Sequence, residues 1–587
     1  MNKEKYKDSF YEPLPLTDLR QMVRTSAELY GSRAAFMVKT DHKSPYKPIT
    51  YSQLLTDING AGTALIELGL KDKKIAVIGE NSYEWVVAYF ATVNGTGVVV
   101  PIDRELHSSE VANLINRAGV SCIAHSKKLR KKIDEALPLI EGEKPILIEL
   151  DSDDSTEDRL SGHELVVKGK NAMNEGDRSF IDAEVDPEAM CSLLFTSGTT
   201  GMAKGVMLSH RNIVANVYNM SKYVEVKGMT GLSVLPMHHT YEMTCHIMTG
   251  ISQGCTLAIC EGLKHITNNL KESNANVMLG VPLLFENIHK RIMRQAKSQG
   301  KLEKLQRGIK LSKKLKLYNR PAVVKRMFKD VHENLGGDIK LFITGGAAVN
   351  PKVIEDFEAM GFPMIQGYGM TENAPILAVN RDRYSRANSA GRAMPGTELK
   401  ILEPDESGMG EILCKGPSVM IGYYDDEEET KNAIKDGWLY TGDYGRIDED
   451  GFLYITGRKK SVIVTKNGKN VFPEEVEFEL TENDYIEEAF VHEDESFSGE
   501  DTVIKAEIYP NYVLIKQDMG KELDDDEMYD FIKRVVDDIN DRMPPYKRVK
   551  RIGIRKTEFV KTTTRKIKRF IPENMTEQKP AEEPKEQ

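Results

Sequence analysis

The stretch Leu193-Leu-Phe-Thr-Ser-Gly-Thr-Thr-Gly-Met-Ala-Lys-Gly-Val206 constrains the fold most, because an apolar run stops there in a loop of hydroxyls, glycines and one lysine. Cys191–Phe195 reads as one short buried strand and Val206–Leu208 as another, with Ser209 placed to cap a helix, so the loop is expected to close a hairpin. Gly198, Gly201 and Gly205 let the backbone curl with successive N–H groups turned inward. Thr196, Ser197, Thr199 and Thr200 add hydroxyl donors and Lys204 a charge, a donor set that suits phosphate. A Gly/Thr-rich surface turn is the plain alternative. A Walker loop is excluded, since it needs glycine before the lysine and Ser/Thr after it, and Ala203 and Gly205 stand there.

A chain of 587 residues is too long for one core, so two or more domains are expected. Tyr51–Gly69 has a helical apolar stripe (Leu54, Leu55, Ile58, Ala61, Leu65), and Ile75–Ile78, Cys122–Ala124 and Pro145–Ile148 read as strands. This alternation predicts a layered α/β domain with largely parallel pairing. Trp85–Ile102 carries no charge over eighteen residues, near the length of a membrane span. Asn94-Gly-Thr-Gly97 interrupts it, so a buried helix, turn and strand is the expectation. Asp151–Asp186 is acidic and weakly patterned and reads as a surface excursion. The net charge of −10 gives no case for nucleic-acid binding. With a polar N-terminus and cysteines mostly in apolar segments, the chain reads as soluble and cytoplasmic. Cys255 and Cys260 with His265 invite a metal reading, but no second ligand pair accompanies them in sequence and Cys255–Cys260 looks like a buried strand.

Leu235-Pro-Met-His-His-Thr-Tyr-Glu242 places two histidines after an apolar strand, where packing is the commoner role. Gly250-Ile-Ser-Gln-Gly254 matches a hydrolase nucleophile elbow, which needs strand before and helix after; here Glu242–Thr249 reads as helix and Cys255–Cys260 as strand, so that reading fails. Asn287–Lys329 holds fifteen Lys/Arg against the single acid Glu303, with Leu302, Leu305 and Ile309 as an apolar stripe. Such a stretch suits either a solvated outer helix or peripheral contact with an anionic membrane. Lys340–Ala348 and Pro363–Glu372 each read as a strand followed by a Gly-rich turn, the place where α/β sheets put ligands, with a helix expected at Thr371–Glu372. Gly410–Cys414 and Gly416–Tyr424 read as short strands of a separate β subdomain. From Ser461 the chain reads as a compact α/β unit with strands at Val462–Val464, Ala489–His492 and Ile504–Tyr509 and a helix at Asp525–Asn540.

In this order, Thr-Ser-Gly-Thr-Thr-Gly-x-x-Lys-Gly at 196–205, the two strand–turns, Tyr440-Thr-Gly-Asp443, Gly451–Lys460 and the basic turn at 560–569 resemble the acyl-adenylate-forming (AMP-binding) superfamily. Within it the chain resembles the long-chain fatty acyl-CoA synthetases, which have a run similar to Leu235–Glu242. The resemblance covers about residues 50–570. It implies an α/β fold: a large N-terminal region (1–457) of layered sheets plus a small β subdomain, a hinge at 458–460 with Lys460 as pivot, a smaller mobile C-terminal domain (461–571), and a disordered tail (572–587).

By resemblance, the loop residues from Thr196 to Lys204 hold ATP phosphates. Gly345, Gly346 and Ala347, with Gln366, Gly367, Tyr368 and Gly369, bind adenine and ribose, Tyr368 by stacking. Thr371 meets phosphate, Glu372 binds Mg²⁺, and Asp443 and Arg458 reach the ribose hydroxyls. His239 or Tyr241 gates an acyl tunnel. Lys566 is the catalytic lysine, preceded by Arg565 where the family usually has glycine. The implied activity is ATP-dependent activation of a fatty acid to acyl-AMP, then thioester formation with CoA. Transfer to a carrier protein, another carboxylic acid, a luciferase-like oxygenase and a nucleotide-binding regulator are the rival readings.

Overall fold

The computed structural model describes residues 9–196, 203–465, 469–494, 502–561, 567–569 and 574. Its packing divides into two units. One is Met1–Leu399, Cys414–Tyr440 and Asp448–Leu453; the other is Lys400–Leu413, Thr441–Ile447 and Tyr454–Gln587. The second unit thus takes in two segments that precede the expected hinge. The tail expected at 572–587 lies outside the described residues except for Asn574.

The first unit is built on two sheets. In one the strand order is Gly422–Tyr423, Lys204–Ser209, Met190–Thr196, Gly97–Pro101, Lys73–Ile78, Cys122–His125, Ile146–Glu149 and Leu160–Ser161. The pairing is parallel from Met190–Thr196 onward, as the alternation predicts. Lys204–Ser209 returns antiparallel as the second arm of the expected hairpin, and Gly422–Tyr423 adds to it. Ser209 caps the helix His210–Tyr223, its side chain accepting from the Asn212 amide. Glycine and threonine break the uncharged run as expected: the helix Tyr83–Ala91 passes through a distorted turn, Thr92–Thr96, into the strand Gly97–Pro101. Among the described residues no helix is long and apolar enough to cross a membrane.

The other sheet runs Gly391–Ala393, Ile376–Val379, Met364–Gly369, Leu341–Thr344, Val277–Gly280, Thr230–Ser233, Thr256–Ile259, Ala34–Val38 and Lys47–Thr50. From Met364–Gly369 to Ala34–Val38 it is parallel. Side chains alternate between two cores: Met278, Phe342 and Met364 join Phe285, Ile309 and Phe357 on one face. Val277, Leu341 and Ile365 join Met220 and Tyr223 on the other. Burial on both faces is why these strands read as unbroken apolar runs. Ile309 faces this core from Leu302–Leu315, the helix of the basic stretch.

Three expectations are corrected. Asp151–Asp186, read as a weakly patterned surface excursion, contains the helix Gly162–Asn174, capped by Ser161. It packs on Tyr51–Glu67 through backbone contact at Gly60 and Gly169, not through an apolar stripe, so periodicity does not reveal it. The helical path after His239 does not stop at Gly250: it continues through a wide turn, Met243–Met248, to Ser252, so Gly250–Gly254 straddles a helix end and the hydrolase reading stays excluded. The segment Gly416–Tyr424 forms only the strand Gly422–Tyr423, which pairs with the hairpin and not within a β subdomain.

The second unit centres on a sheet of Ile486–Glu493, Ile504–Pro510 and Arg551–Ile554. The helices Pro473–Thr481 and Asp525–Asn540 cover it, contributing Val476, Leu480, Phe531, Ile532 and Val536 to one core. The strands Ile463–Val464, Ile486–Glu493 and Ile504–Pro510 and the 525–540 helix fall where periodicity places them.

A methyl group on Gly169 would be driven into the Gly60 carbonyl, and one on Gly60 would lie 2.7 Å from the Val166 carbonyl oxygen. Gly169→Ala is therefore expected to destabilise the first unit by about 1–3 kcal/mol, which exceeds the gain in helix propensity of up to about 1 kcal/mol. Thermal unfolding beside Val167→Ala, an exposed position on the same helix, provides the check; equal midpoints would show that the two helices tolerate a wider separation.

Candidate functional site

The hairpin delivers Thr196 and Lys204 as the last facing pair before its loop. Ser197, Gly198, Thr199, Thr200 and Gly201 lie outside the described residues. Arg117 steadies the base of the loop, donating to the Ala203 carbonyl at 2.7 Å while its guanidinium lies over the Phe195 ring. The Lys204 ammonium lies 4.9 Å from the centre of the Tyr423 ring and forms an ion pair with Glu429.

Tyr423 links this lysine to the second strand–turn. Its hydroxyl donates to Glu372 Oε1 at 3.0 Å. Burial, reinforced by the Glu372 carboxylate, pushes that hydroxyl far above its ordinary pKa, so it remains a donor at neutral pH. The expected helix at Thr371 and Glu372 is a single 3-10 turn, Thr371–Asn373, followed directly by the strand Ile376–Val379. Side chains fix this turn. Asn216 donates to the carbonyls of Asn373 (3.2 Å) and Ile376 (2.9 Å), and Asn373 donates to Ile376 at 2.8 Å. One helical turn before Asn216, Asn212 donates to the Pro417 and Val419 carbonyls, and the Met420 amide donates to the Glu372 carbonyl at 2.8 Å. The helix that begins at Ser209 and the segment 417–430 together hold Lys204 and Glu372.

Glu372 Oε2 has no hydrogen-bond partner among the described residues. One oxygen anchored by a phenol and the other open fits a carboxylate that takes a divalent cation through one atom, as Mg²⁺ sites with substrate phosphates do.

Along the parallel sheet, Gly345 and Gly346 follow the Leu341–Thr344 strand, Gly346 with φ +85°, and Gly346 and Ala347 are exposed. A methyl on Gly345 would meet the Tyr241 ring at 3.2 Å. That ring crosses the carboxyl ends of two strands, its hydroxyl donating long bonds to Ile343 (3.3 Å) and Gly280 (3.4 Å). The structure therefore joins Tyr241 to the Gly345 turn. His239 begins the following helix and its ring lies 4.1 Å from that of His238. Asn81 secures this loop, donating to the Leu235 carbonyl at 2.6 Å and accepting from the Met237 amide at 3.1 Å.

Tyr368 is buried on its strand. Gln366 is turned into the protein, donating to the carbonyls of Ala387 (3.0 Å) and Ser389 (2.8 Å). Gly369 has a structural reason to be glycine, since a methyl there would lie 2.6 Å from the Pro375 carbonyl oxygen; at Gly367 it would approach Val379 at 3.1 Å.

In the second unit Asp443 is buried on the strand Trp438–Ile447, and Arg458 Nε lies 3.3 Å from its Oδ1. Lys459 is paired with Glu411 at 2.7 Å, and Lys460 lies in the 3-10 turn Lys459–Ser461. Lys566 lies outside the described residues.

Sequence reasoning missed Tyr423, Glu429, Asn212 and Asn216. The two asparagines at i, i+4 spacing on a largely buried helix carried the available signal, because buried amides need partners.

The AMP-binding enzyme family model matches residues 23–424. The chain is 30% identical over 545 residues to a chloroplastic long-chain-fatty-acid–[acyl-carrier-protein] ligase of Arabidopsis thaliana, covering 80% of this chain and 73% of that protein. It is 30% identical over 497 residues to a long-chain-fatty-acid–CoA ligase of Rattus norvegicus, covering 80% and 68%. Among solved structures, an anthranilate CoA ligase in complex with anthranoyl-AMP superposes with a TM-score of 0.73, covering 97% and 98% at 20% identity, which shows a shared fold.

Tyr423→Phe keeps the ring under Lys204 and removes the donor to Glu372. The expected outcome is a folded protein whose divalent-cation requirement for ATP turnover rises about tenfold, the effect typical of losing a ligand's supporting hydrogen bond. A titration of activity against Mg²⁺ tests this; an unchanged requirement would detach Glu372 from the cation.

Proposed function

Because the chain belongs to the AMP-binding enzyme family and is an AMP-forming acid–thiol ligase, we propose that it activates a long-chain fatty acid with ATP and passes the acyl group to CoA. The observation that carries the reading is the placement of Lys204 and Glu372 on the ring and hydroxyl of one tyrosine. A cation and an open carboxylate held in fixed relation suit a triphosphate and its counter-cation. The names of the similar ligases support a fatty acid as the acid.

In this reading the carboxylate attacks the α-phosphate of ATP, pyrophosphate leaves, and the CoA thiol then displaces AMP from the acyl-AMP anhydride. Lys204, with Thr196, Ser197, Gly198, Thr199, Thr200 and Gly201, holds the phosphates, and Thr371 donates to them. Glu372 would hold Mg²⁺, which supplies charge neutralisation on the phosphates. Lys566 steadies charge as carboxylate meets phosphate. Gly345, Gly346, Ala347, Gly367 and Gly369 offer backbone to adenine and ribose, Gln366 supports that backbone through the 387–389 loop, and Tyr368 stacks on adenine. Asp443 accepts from the ribose hydroxyls with Arg458 beside it. Tyr241 and His239 border the acyl entrance, and the backbone at Lys460 rotates between the half-reactions.

A carrier protein as acceptor is the second reading, favoured by the Arabidopsis relative's name. Carboxylate-dependent ATP–pyrophosphate exchange followed by product analysis with CoA or holo-carrier protein separates the two. Lys566→Ala is expected to lower exchange by about 10²–10³ and to spare transfer from preformed acyl-AMP. Equal loss in both half-reactions would remove the lysine from the adenylation step.

A membrane-facing role for the basic stretch rests on the outer side of the Leu302–Leu315 helix. There Leu311 and Leu315 are exposed beside Lys310 and Lys314, which have no ion-pair partner among the described residues. Lys313 is excluded from that face by its pairing with Glu355 and Asp356. Apolar side chains flanked by cations suit the surface of an anionic bilayer, at about 1 kcal/mol per cation. Wild-type protein is expected to cosediment with anionic vesicles in low salt, and a Lys310→Glu, Lys314→Glu variant is not; equal sedimentation of the two would leave the helix merely solvated.

A further inference from the structure

His265, which had no second ligand pair in sequence, acquires one in three dimensions. His42, Glu261 and His265 bring their ligand atoms within 4.8 Å of one another. The three come from separate places in the first unit: the turn joining the paired strands Ala34–Val38 and Lys47–Thr50, the end of Thr256–Ile259, and the 3-10 turn Leu263–His265. The cluster contains none of the residues assigned to adenylation.

The carboxylate is held for a ligand. Glu261 Oε2 accepts from the buried Asn269 amide at 2.7 Å and from the Lys39 ammonium at 2.9 Å, and the Glu261 backbone N–H donates back to Asn269 at 2.9 Å. Oε1 is turned the other way, 2.8 Å from His42 Nδ1. The imidazoles of His42 and His265 stack with centroids 4.6 Å apart and planes 12° apart.

The turn bearing His42 is itself braced. Asp41 accepts from the amides of Lys43 (2.8 Å) and Ser44 (2.9 Å), which fixes the backbone under the exposed His42 side chain. Donors on a zinc ion at about 2.0–2.2 Å lie closer together than 4.8 Å, so binding would draw the exposed His42 ring inward. Lys39, which bonds Glu261, keeps a second partner in Glu272 at 2.8 Å.

We propose that His42, Glu261 and His265 form a binding site for a borderline divalent transition metal, Zn²⁺ by donor set, which pins the 39–46 turn to the end of the neighbouring strand. Two nitrogens and one oxygen favour zinc, cobalt or nickel over Mg²⁺ and Ca²⁺, which take oxygen ligands. Asn269 and Lys39 then act as the outer partners that orient a ligating carboxylate. Three protein ligands leave a position for water.

The test uses untagged full-length protein, stripped with chelator and titrated with Zn²⁺ and Co²⁺ in excess Mg²⁺, which masks oxygen-only sites. Wild type is expected to bind one equivalent of Zn²⁺, to give visible Co²⁺ bands and to melt at a higher temperature with Zn²⁺ present. His42→Ala, His265→Ala and Glu261→Gln should each weaken binding more than tenfold and abolish the bands, with ATP–pyrophosphate exchange unchanged. His42 is exposed, so its variant is not expected to perturb folding. Absence of a Zn²⁺ site in wild type, or a site that survives intact in His42→Ala and His265→Ala, overturns the proposal.

Discussion

Parallel strands buried on both faces end in loops whose peptide groups have no ladder to join, and the first unit depends on how those groups are satisfied. An unpaired buried amide or carbonyl costs about 1–3 kcal/mol, so the loops at the strand ends exist in one conformation only where side chains supply the bonds. Asparagine does this repeatedly. Asn81 holds the Leu235–Met237 loop, Asn216 and Asn373 the Glu372 turn, and Asn269 the backbone and side chain of Glu261. Asn380, with Gln366, satisfies the Ser389 carbonyl. Each amide gives a donor and an acceptor on a short stem, which backbone in an adjacent strand cannot supply at that position. The candidate site and the candidate metal cluster share this construction.

Gln366 shows how function and support are divided. It lies in the middle of a glycine-rich strand–turn, where a polar residue invites a ligand contact. Its amide instead bonds two carbonyls of the 387–389 loop, so any effect it has on a nucleotide passes through that loop. Gly369 is similar: the Pro375 carbonyl already demands glycine there. Glycine-rich turns at sheet ends are thus over-determined, and a motif read for its chemistry is also a motif for close packing.

What sequence made legible follows from the range of the interactions. The hairpin, the Ser209 cap, the break after Ala91 and the 525–540 helix are set by neighbours within a few residues, and all are present. The Gly162–Asn174 helix was not legible, because glycine, which argues against a helix locally, is required by a partner helix a hundred residues away. Likewise the role of the 417–430 segment depends on pairing with residues 205–207 and on the Glu372 backbone. In sequence Tyr423 was one of two adjacent tyrosines before an acidic run, with no periodicity to mark it. Sequence resemblance located Lys204 and Glu372 as separate motifs; their connection through one phenol is a property of the tertiary structure.

That connection has an electrostatic logic. Lys204 is only partly exposed, and an ammonium withdrawn from water needs compensation. The Tyr423 ring gives it a face of negative potential without adding a charge, and the more exposed Glu429 gives it a counter-ion. A carboxylate on a lysine's solvent side can be replaced by another anion at little cost, because such pairs contribute on the order of 1 kcal/mol or less. The tyrosine cannot be replaced so readily, since its hydroxyl is committed to Glu372 and its backbone to the hairpin strand. The lasting part of the site is therefore neutral and the exchangeable part is charged, which keeps the lysine oriented while its partner changes.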